Sequence, residues 1–369
     1  MPRIVVSVSN DLVTDQRVYK VCNTLYENGY DILLIGRRFN NSLEIKRPYK
    51  VNRIKLIFRK KFWFYAEFNI RLFFKLLFTK KDLLLANDLD TLLPNYLIAK
   101  IFNKKLVYDS HELFTEVPEL IQRPKIRKIW LLIEEWIFPN LKNVITVNDE
   151  IAQIYKLKYN VPVHVIRNIA NRIDPLFIDK NLANNVKNGS KMLIIQGSIN
   201  IDRGVEEAVE MMQYLENFIL YIIGYGDVMD KIKNLINDLD VGNKVVVLGK
   251  FPYQELIQYT RIADLGLSLD KGTNLNYELS LPNKIFDFVQ CQLPIMASAR
   301  KLVAEFVETN KIGIVFQDHD PKKMAEIVKS IFQDKARYDL WKENLKNIAQ
   351  IYNWETESRH LIEIYKNLR

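Results

Sequence analysis

Short apolar runs alternate with amphipathic patterns along most of this 369-residue chain. Brief apolar runs bounded by polar residues predict strands, and apolar residues spaced three and four apart predict the helices between them. In the first half the predicted strands span residues 3–9, 31–35, 51–58, 82–86, 105–109 and 143–147. In the second half they span residues 192–196, 218–223, 244–248, 264–268, 294–297 and 313–316.

Strands that alternate with helices of ten or more residues form βαβ units and parallel sheets. The length favours two domains, at roughly 150 residues per domain. We therefore predict two Rossmann-like, doubly wound α/β domains at residues 1–170 and 191–350, with a linker at 171–190, where periodicity is lost. Residues 351–369 predict a final helix, with an apolar face formed by Leu361, Ile362, Ile364, Tyr365 and Leu368.

The composition narrows the class of protein. Hydrophobic residues make up 48% of the chain, enough for two cores, yet no run of 18 apolar residues occurs, so we expect no transmembrane helix. The start, MPRIVVSVSND, turns polar too early for a secretory signal, and the two cysteines, Cys22 and Cys291, lack metal-ligand spacing. These features predict a cytoplasmic protein with two core cysteines.

The positive charge lies in the first half. Residues 1–170 carry a net +11 and residues 171–369 a net −2, within a total of +9. A basic half suits nucleic acid, an anionic membrane or a phosphorylated acceptor. No RNP, zinc-finger or basic-zipper pattern accompanies the basic residues, so we expect no nucleic-acid partner.

The segment LPNKIFDFVQCQLPI, residues 281–295, carries the clearest chemistry. Pro282 and Asn283 open a predicted helix whose N-terminus, beside Lys284, suits a phosphate group. Asp287 follows one turn later on the same face, where its carboxylate can accept hydrogen bonds from two ribose hydroxyls. This spacing predicts a nucleotide site.

The same segment resembles the donor-site helix of GT-B glycosyltransferases of family 4, in the subgroup with a P-N/S-K-x-F-E/D motif. The similarity extends from SVSNDLVTDQRV to YNWETES. It implies two domains facing across a cleft, with the last helix crossing back to the first domain. It further implies transfer of a sugar, with retention of anomeric configuration, from a nucleotide sugar held by the second domain to a glycan or lipid-linked acceptor in bacterial surface polysaccharide synthesis.

Two loops of the first half follow predicted strands, where ligands bind in parallel sheets. In SNDLVTDQRV, Thr14 is the candidate N-cap of the following helix. Asp15 and Arg17 lie in its first turn, where they belong either to the cap and a solvent-exposed face or, as the resemblance implies, to the acceptor side. In DSHELFTEV, His111 as a neutral imidazole can bind a sugar hydroxyl, or it is structural. The resemblance implies that His111 contacts the donor sugar, and we place Glu112 on the acceptor side.

In the second half, QGSINIDRG follows a predicted strand. Gly197 allows close approach of a ligand, and Arg203 can clamp a diphosphate or pair with Glu206 or Glu207 on its own helix. Family members usually carry an Arg soon after the first Gly and a Lys before the second. Here Ser198 replaces that Arg and Arg203 takes the place of the Lys, so Arg203 and Lys284 are the candidate cations for the leaving diphosphate.

Two further segments complete the predicted donor site. Gly224, Tyr225 and Gly226 form a Gly-x-Gly turn, which an ordinary tight turn also explains; the resemblance implies that it lines the donor pocket. Residues 248–256 are expected to help hold the base. The family pattern places two Glu eight positions apart, but eight residues before Asp287 is Leu279, and Glu278 is nine before. Glu278 is therefore an uncertain substitute for the sugar-side Glu.

Three Asp-x-Asp triplets can suggest a metal, at Asp88/Asp90, Asp238/Asp240 and Asp318/Asp320. Helix capping explains the first, and a helix end and a turn explain the others. We therefore expect no metal and no cofactor other than the nucleotide-sugar substrate. The basic, aromatic stretch at residues 59–81 predicts an amphipathic helix over the first sheet, with peripheral contact to an anionic membrane at its inner face as the alternative.

The resulting prediction is a metal-independent glycosyltransferase. Arg203 and Lys284 stabilise charge on the departing diphosphate, Asp287 fixes the ribose and His111 contacts the sugar. With no carboxylate placed as a nucleophile, a front-face route assisted by the leaving phosphate is favoured. Two alternatives stay open: a GT-B nucleotide-sugar epimerase, and a non-catalytic partner subunit that only binds the nucleotide sugar.

Overall fold

A computed structural model describes residues 1–13, 15–39, 42, 44–58, 61–173, 180–187 and 189–368. The chain divides into two compact units, Met1–Asn168 with Thr356–Arg369, and Ile169–Glu355. Each unit contains one fully parallel sheet with helices between its strands. The predicted α/β class with two Rossmann-like domains is confirmed.

The first unit is built on a seven-stranded sheet of order β3-β2-β1-β4-β5-β6-β7. Its strands are β1 (Arg3–Asp11), β2 (Asp31–Arg38), β3 (Lys50–Lys55), β4 (Leu83–Asn87), β5 (Lys105–Ser110), β6 (Val144–Thr146) and β7 (Val163–Val165). The strand order reverses between β1 and β4, and ligands of open α/β sheets bind beyond the strand ends at such a point.

Helices connect most of the strands of the first unit. They are α1 (Gln16–Glu27), α2 (Lys61–Leu77), α3 (Leu89–Ile101), α4 (Pro118–Ile121), α5 (Pro124–Ile137) and α6 (Asp149–Tyr159), with 3-10 turns at Phe114–Glu116 and Phe138–Asn140. In α2 a stripe of apolar residues repeats every four positions and is buried, consisting of Phe64, Phe68, Leu72 and Leu76. This stripe confirms the amphipathic helix predicted at 59–81.

The last helix spans Trp354–Lys366, and its residues from Thr356 onward belong to the first unit. Leu361 and Tyr365 are buried, and the Tyr30 hydroxyl donates a hydrogen bond to the Tyr365 carbonyl at 3.0 Å. Lys105 Nζ donates to the Leu368 carbonyl at 2.9 Å. The apolar face predicted for this helix thus packs in the first unit.

The second unit contains a six-stranded sheet of order β10-β9-β8-β11-β12-β13. Its strands are β8 (Lys191–Ser198), β9 (Phe218–Tyr225), β10 (Val245–Leu248), β11 (Leu265–Ser268), β12 (Ile295–Ser298) and β13 (Gly313–Phe316). The order reverses between β8 and β11. Two apolar clusters lie on the two faces of this sheet, because alternate side chains of each buried strand point to opposite sides.

Nine α-helices accompany these strands in the described part of the second unit. They are α7 (Lys180–Lys187), α8 (Val205–Met211), α9 (Met229–Asp238), α10 (Tyr253–Ile262), α11 (Leu275–Glu278), α12 (Asn283–Gln290), α13 (Lys301–Asn310), α14 (Pro321–Gln333) and α15 (Lys335–Ala349). The last helix of the chain, α16, is Trp354–Lys366. A 3-10 turn spans Met212–Tyr214. In the part of the chain that the structure describes, no helix combines the length and the apolar character needed to cross a membrane.

The observed elements depart from the prediction in two places. The three-residue strand β7 was not predicted, because Val163–Val165 is too short to show alternation and follows Pro162. Helix α7 lies within the stretch predicted as an irregular linker. Its few apolar residues pack against the second unit, where Val186 is buried. Tertiary contact therefore decided both elements.

Candidate functional site

Arg203 and Lys284 meet on one buried carboxylate at the reversal point of the second sheet. Asp270 follows β11, Arg203 precedes α8 after β8, and Lys284 lies in the first turn of α12. Asp270 Oδ1 is 3.1 Å from Arg203 Nη1 and 3.4 Å from Lys284 Nζ. The two cations that the sequence assigned to a diphosphate thus lie together.

The backbone explains why these loops approach so closely. A Cβ on Gly204, whose φ is +68°, would lie 2.4 Å from the Leu269 carbonyl oxygen, so only glycine fits there without a shift. Lys271 N–H donates to the Asp202 carbonyl at 2.8 Å, and Ser298 Oγ donates to the Asp270 carbonyl at 2.5 Å. These bonds fix the loop that presents Asp270 beside Arg203.

The charges of this group are uneven. Burial acts to raise the pKa of Asp270, but Lys284 and Arg203 outweigh it and hold the pKa below its usual range. The pKa of Lys284 is lowered by burial and by Arg203, against the attraction of Asp270. Two cations share one carboxylate, so the group carries a net positive charge suited to an anion.

The contacts do not favour the alternative in which Arg203 forms an ion pair with a glutamate of its own helix. Glu206 contacts Lys231, and Glu207 contacts Lys271. Arg203 instead contacts Asp270 and lies over the Tyr277 ring, with its guanidinium carbon 4.3 Å from the ring centroid. Its planar head group is therefore held on one face by an aromatic ring and at one edge by a carboxylate.

Asp287 is buried on α12 and accepts hydrogen bonds from two side chains. Gln196 Nε2 donates to Oδ2 at 2.9 Å, and the Tyr253 hydroxyl donates to Oδ1 at 2.7 Å. Thr260 Oγ1 donates in turn to Gln196 Oε1 at 2.6 Å. These bonds fix the orientation of the Asp287 carboxylate.

Glu278, the uncertain substitute for the sugar-side Glu, is engaged by Arg300. Arg300 Nη1 lies 2.9 Å from Glu278 Oε2, and Lys301 N–H donates to Oε1 at 3.3 Å. A Cβ on Gly272 would lie 1.4 Å from Arg300 Nη1, so glycine is needed for Arg300 to reach Glu278. The displaced Glu278 is thus anchored to the loop after β12.

The remaining predicted donor residues surround the ends of β8 and β9. Gly197 adopts φ +110° with open space where a Cβ would stand, whereas a Cβ on Gly224 would lie 1.9 Å from the Gly197 carbonyl oxygen. Gly226 similarly approaches the Ile199 carbonyl, so close packing of backbone explains the Gly-x-Gly turn. The exposed members of the predicted set are Gly197, Ser198, Tyr225 and Asn283.

In the first unit, His111 lies between two aspartates at the reversal point of the sheet. His111 Nδ1 is 3.0 Å from Asp88 Oδ2, and Nε2 is 3.5 Å from Asp109 Oδ2. The His111 backbone N–H also donates to Asp88 Oδ1 at 2.9 Å. Asp88 therefore fixes both the loop and the ring.

This surrounding charge corrects the predicted neutral imidazole. Burial acts to lower the pKa of His111, but Asp88 and Asp109 together raise it to about 10. The ring is therefore an imidazolium at neutral pH, with both nitrogens protonated. It can donate to a hydroxyl and cannot act as a base there.

The capping prediction is wrong for the Asp88 side chain, whereas Asp90 lies in the first turn of α3, as predicted for an acidic residue at a helix start. Asp88 makes no side-chain cap bond and adopts φ 59°, ψ 165°, a region that costs non-glycine residues about 1–3 kcal/mol. Its carboxylate serves His111 instead. Asp90 is buried and accepts a short hydrogen bond from Ser9, and burial together with Asp88 raises its pKa to about 7.

Arg17 does not face an acceptor. Its guanidinium grips Asp109 at 2.6 and 3.0 Å and donates to the Ile166 carbonyl at 2.8 Å, and both side chains of the pair are only 2% exposed. Asp15 caps α1 by accepting from Val18 N–H at 3.0 Å; Thr14, the predicted cap, lies outside the described residues. The acceptor-side assignment of Arg17 is therefore wrong, and Asp15 has the capping role.

Glu112, the third acceptor-side candidate, follows His111 in a partly exposed position. Its backbone carbonyl accepts a hydrogen bond from Ser110 Oγ at 2.9 Å. This bond closes the turn after β5 and keeps Glu112 at the same strand end as His111.

Sequence reasoning missed the aspartates that organise both groups, Asp88, Asp109 and Asp270. Each stands at or just after the carboxyl end of a strand, and this position was the signal that could have identified them. Tyr253 and Arg300 were also missed as partners of Asp287 and Glu278. No spacing in the chain connects these distant pairs.

Two family models match this chain. Residues 15–175 match the family described as Glycosyltransferase Family 4, and residues 177–348 match Glycosyl transferases group 1. An uncharacterized glycosyltransferase from Methanocaldococcus jannaschii is 23% identical over 60% of this chain and 59% of its own length. The amylovoran biosynthesis glycosyltransferase of Erwinia amylovora is 27% identical over 36% of this chain and 34% of its own length. These matches thus span about one third to three fifths of the relatives' own lengths.

Solved structures share the fold over the whole chain. Sucrose-phosphate synthase from Thermosynechococcus elongatus superposes with a TM-score of 0.82 at 18% identity, covering 100% of this chain and 99% of that one. Anabaena HepE in complex with UDP-glucose superposes with a TM-score of 0.77 at 14% identity, covering both chains fully. The two-domain GT-B fold is therefore shared.

Proposed function

Because the chain belongs to the group 1 and family 4 glycosyltransferases, we propose that it transfers a sugar from a nucleotide-sugar donor to a glycan or lipid-linked acceptor. The observation that carries this proposal is the convergence of Arg203 and Lys284 on Asp270 at the reversal point of the second sheet. A guanidinium and an ammonium so placed match the charge and size of a diphosphate.

The two cations act when the donor bond breaks. Negative charge accumulates on the departing diphosphate, and Arg203 and Lys284 stabilise it without moving, because Asp270 and the surrounding loops already position them. Such preorganised charge is the largest contribution that this site can make to the rate. Asp287, oriented by Tyr253 and Gln196, binds the ribose hydroxyls.

Retention follows from a front-face route. The bond between the anomeric carbon and the diphosphate oxygen breaks, the acceptor oxygen bonds to the same face of the sugar, and its proton passes to the departing diphosphate. His111, as an imidazolium, donates a hydrogen bond to a donor-sugar hydroxyl. Since two side-chain cations supply the charge stabilisation, no step needs a divalent metal, and activity should survive chelation by EDTA.

The likeness to HepE, whose structure contains UDP-glucose, supports a nucleotide sugar as donor. The similarity to the amylovoran glycosyltransferase supports a role in bacterial surface polysaccharide synthesis. On this proposal the reaction takes place at the cytoplasmic face of the membrane, where lipid-linked acceptors are available.

Incubation with UDP-, GDP- and dTDP-sugars, with and without a lipid-linked acceptor, tests the function. Acceptor-dependent nucleotide release, with the anomeric configuration retained in the product by NMR, is the expected result. Release of an epimerised free nucleotide sugar would indicate the epimerase instead. Binding of a donor with no turnover under any acceptor condition would indicate a partner subunit.

Membrane contact has a separate physical basis. Trp63, Phe74 and Phe78 are more than half exposed along and just after α2, next to the exposed Lys75 and Lys80. Exposed aromatic and basic residues favour the interface of an anionic bilayer. Arg59, Lys60 and the Lys61 side chain, which begin the basic, aromatic stretch at residues 59–81, lie outside the described residues.

Flotation with vesicles of phosphatidylglycerol and phosphatidylcholine at low salt tests this contact. The double variant Trp63→Ser and Phe78→Ser should bind these vesicles more weakly, whereas Leu157→Ser, an equally exposed apolar residue on α6, should not. Equal flotation of all three proteins would refute the assignment of this surface.

A further inference from the structure

Asp270 is the one acidic group that contacts both predicted diphosphate cations in the described part of the second unit. Its Oδ1 lies within 3.4 Å of Arg203 Nη1 and Lys284 Nζ, and its Oδ2 accepts no hydrogen bond from the described residues. The side chain is only 5% exposed. A buried carboxylate with an unsatisfied oxygen therefore occupies the centre of an otherwise positive site.

The two cations need such a partner when no nucleotide is bound. Like charges held close together repel, and a buried ammonium loses its hydration. The exposed fractions, 22% for Arg203 and 11% for Lys284, leave both head groups within reach of a ligand. Asp270 thus supplies the negative charge that the diphosphate later brings.

We propose that Asp270 is a resident counter-ion, which holds Arg203 and Lys284 in place in the nucleotide-free protein and competes with the donor diphosphate for them. The inference rests on the proposed diphosphate site. Its consequence is that Asp270 lowers nucleotide affinity, because a carboxylate near the diphosphate repels it. Weaker holding of the nucleoside diphosphate product speeds its release, which limits turnover in many transferring enzymes.

Hydrogen bonds to distant parts of the chain hold the backbone around Asp270 in position. Ser298 Oγ holds the Asp270 carbonyl, and the next residue, Lys271, is bonded through its N–H to the Asp202 carbonyl. Asp270 is therefore fixed between the loops after β8 and β12. A carboxylate fixed in this way cannot move far when the diphosphate arrives.

The test is calorimetry of Asp270→Asn with UDP, GDP, dTDP and inorganic pyrophosphate, which carries the diphosphate without a base. Affinity for the diphosphate probes should rise at least about tenfold. This gain separates the proposal from a structural role, because damage to the fold weakens binding. Asp270→Ala, which also removes the charge, should show the same gain if Asp270→Asn proves unstable on melting.

Asp264 supplies the matched control. It stands at the opposite end of β11 from Asp270 and pairs with Lys187 at 2.8 Å, so Asp264→Asn removes one charge from the same unit away from the site. Its affinities should equal those of the wild type. In steady-state assays, Asp270→Asn should lower both KM for the donor and kcat, the latter through slow product release.

The outcomes separate this inference from the proposed function. Nucleotide binding that is unchanged or weaker in both Asp270 variants overturns the counter-ion and leaves the transferase proposal standing. Pyrophosphate binding that tightens in the variants, with no nucleotide bound by any protein, supports the counter-ion and overturns the nucleotide-sugar site. No binding of any probe by any protein overturns both.

Discussion

Each unit places a buried aspartate between two cations at the reversal point of its sheet, but the two groups differ in charge balance. In the first unit Asp109 contacts Arg17 and His111, and Asp88 supplies a second carboxylate to His111. In the second unit Asp270 is the carboxylate that contacts both Arg203 and Lys284 among the described residues. Counted over these named residues, the first group is neutral and the second has a net charge of +1.

Burial follows the same division. Arg17 and Asp109 are each 2% exposed, whereas Arg203 is 22% exposed. The sealed Arg17–Asp109 pair contributes to the structure and positions His111, whose side chain is 17% exposed. A charged, accessible group is poised for an anion. Similar residue types near the strand ends of two parallel sheets therefore have different roles, because the number of carboxylates differs.

The largest expected effect is the loss of stability when the buried Arg17–Asp109 pair is broken. Arg17→Met leaves Asp109 buried beside His111 alone, and breaking such a pair costs about 3–5 kcal/mol. The free energy of unfolding in urea should fall by that amount, with nucleotide affinity little changed. Arg71→Met, which removes an exposed arginine paired with Glu67, should cost under about 1 kcal/mol. Equal losses for the two variants would contradict the comparison.

The charge on His111 gives a pH dependence. Its pKa in the folded protein, about 10, lies above the ordinary value of 6.5, so its ion pairs contribute fully below pH 6.5 and are lost as pH rises toward 10. The stability advantage of wild type over His111→Asn, a few kcal/mol near neutral pH, should therefore shrink across this window in urea unfolding. His360→Asn, on an exposed histidine of α16, should retain the wild-type pH curve.

Substitution in the group of Arg203, Lys284 and Asp270 should change the affinity for nucleotide. Lys284→Ala removes a charge-assisted contact to the diphosphate, for which we expect a loss of about 2 kcal/mol, roughly 30-fold in Kd for nucleoside diphosphates by calorimetry. Lys187→Ala, which removes a lysine paired with Asp264, should bind nucleotide like the wild type. Unchanged affinity of Lys284→Ala would refute the diphosphate site.

All twelve strands expected from the apolar pattern are present, because a buried parallel strand needs a continuous apolar run that stands out in any sequence. Strand β7 and helix α7 were missed, since each is short and depends on neighbours for its stability. Lys284 and Arg203 were identified as cations of one site. The burial of Arg17 could not be foreseen, because its partner Asp109 lies 92 positions away. The charged state of His111 could not be foreseen either: Asp109 is its near neighbour in sequence, but Asp88, which also holds the ring, lies 23 positions away.

The order of apolar and polar residues by itself determined the two parallel sheets and the loops that bear the candidate site residues. Tertiary structure alone decided which of those residues are sealed and which stay available. Asp109 closes on Arg17 across 92 positions of sequence, and Asp270 reaches Arg203 only because Gly204 lets two loops meet. The charge balance of each group depends on such long-range contacts, which the local spacing of residues does not predict.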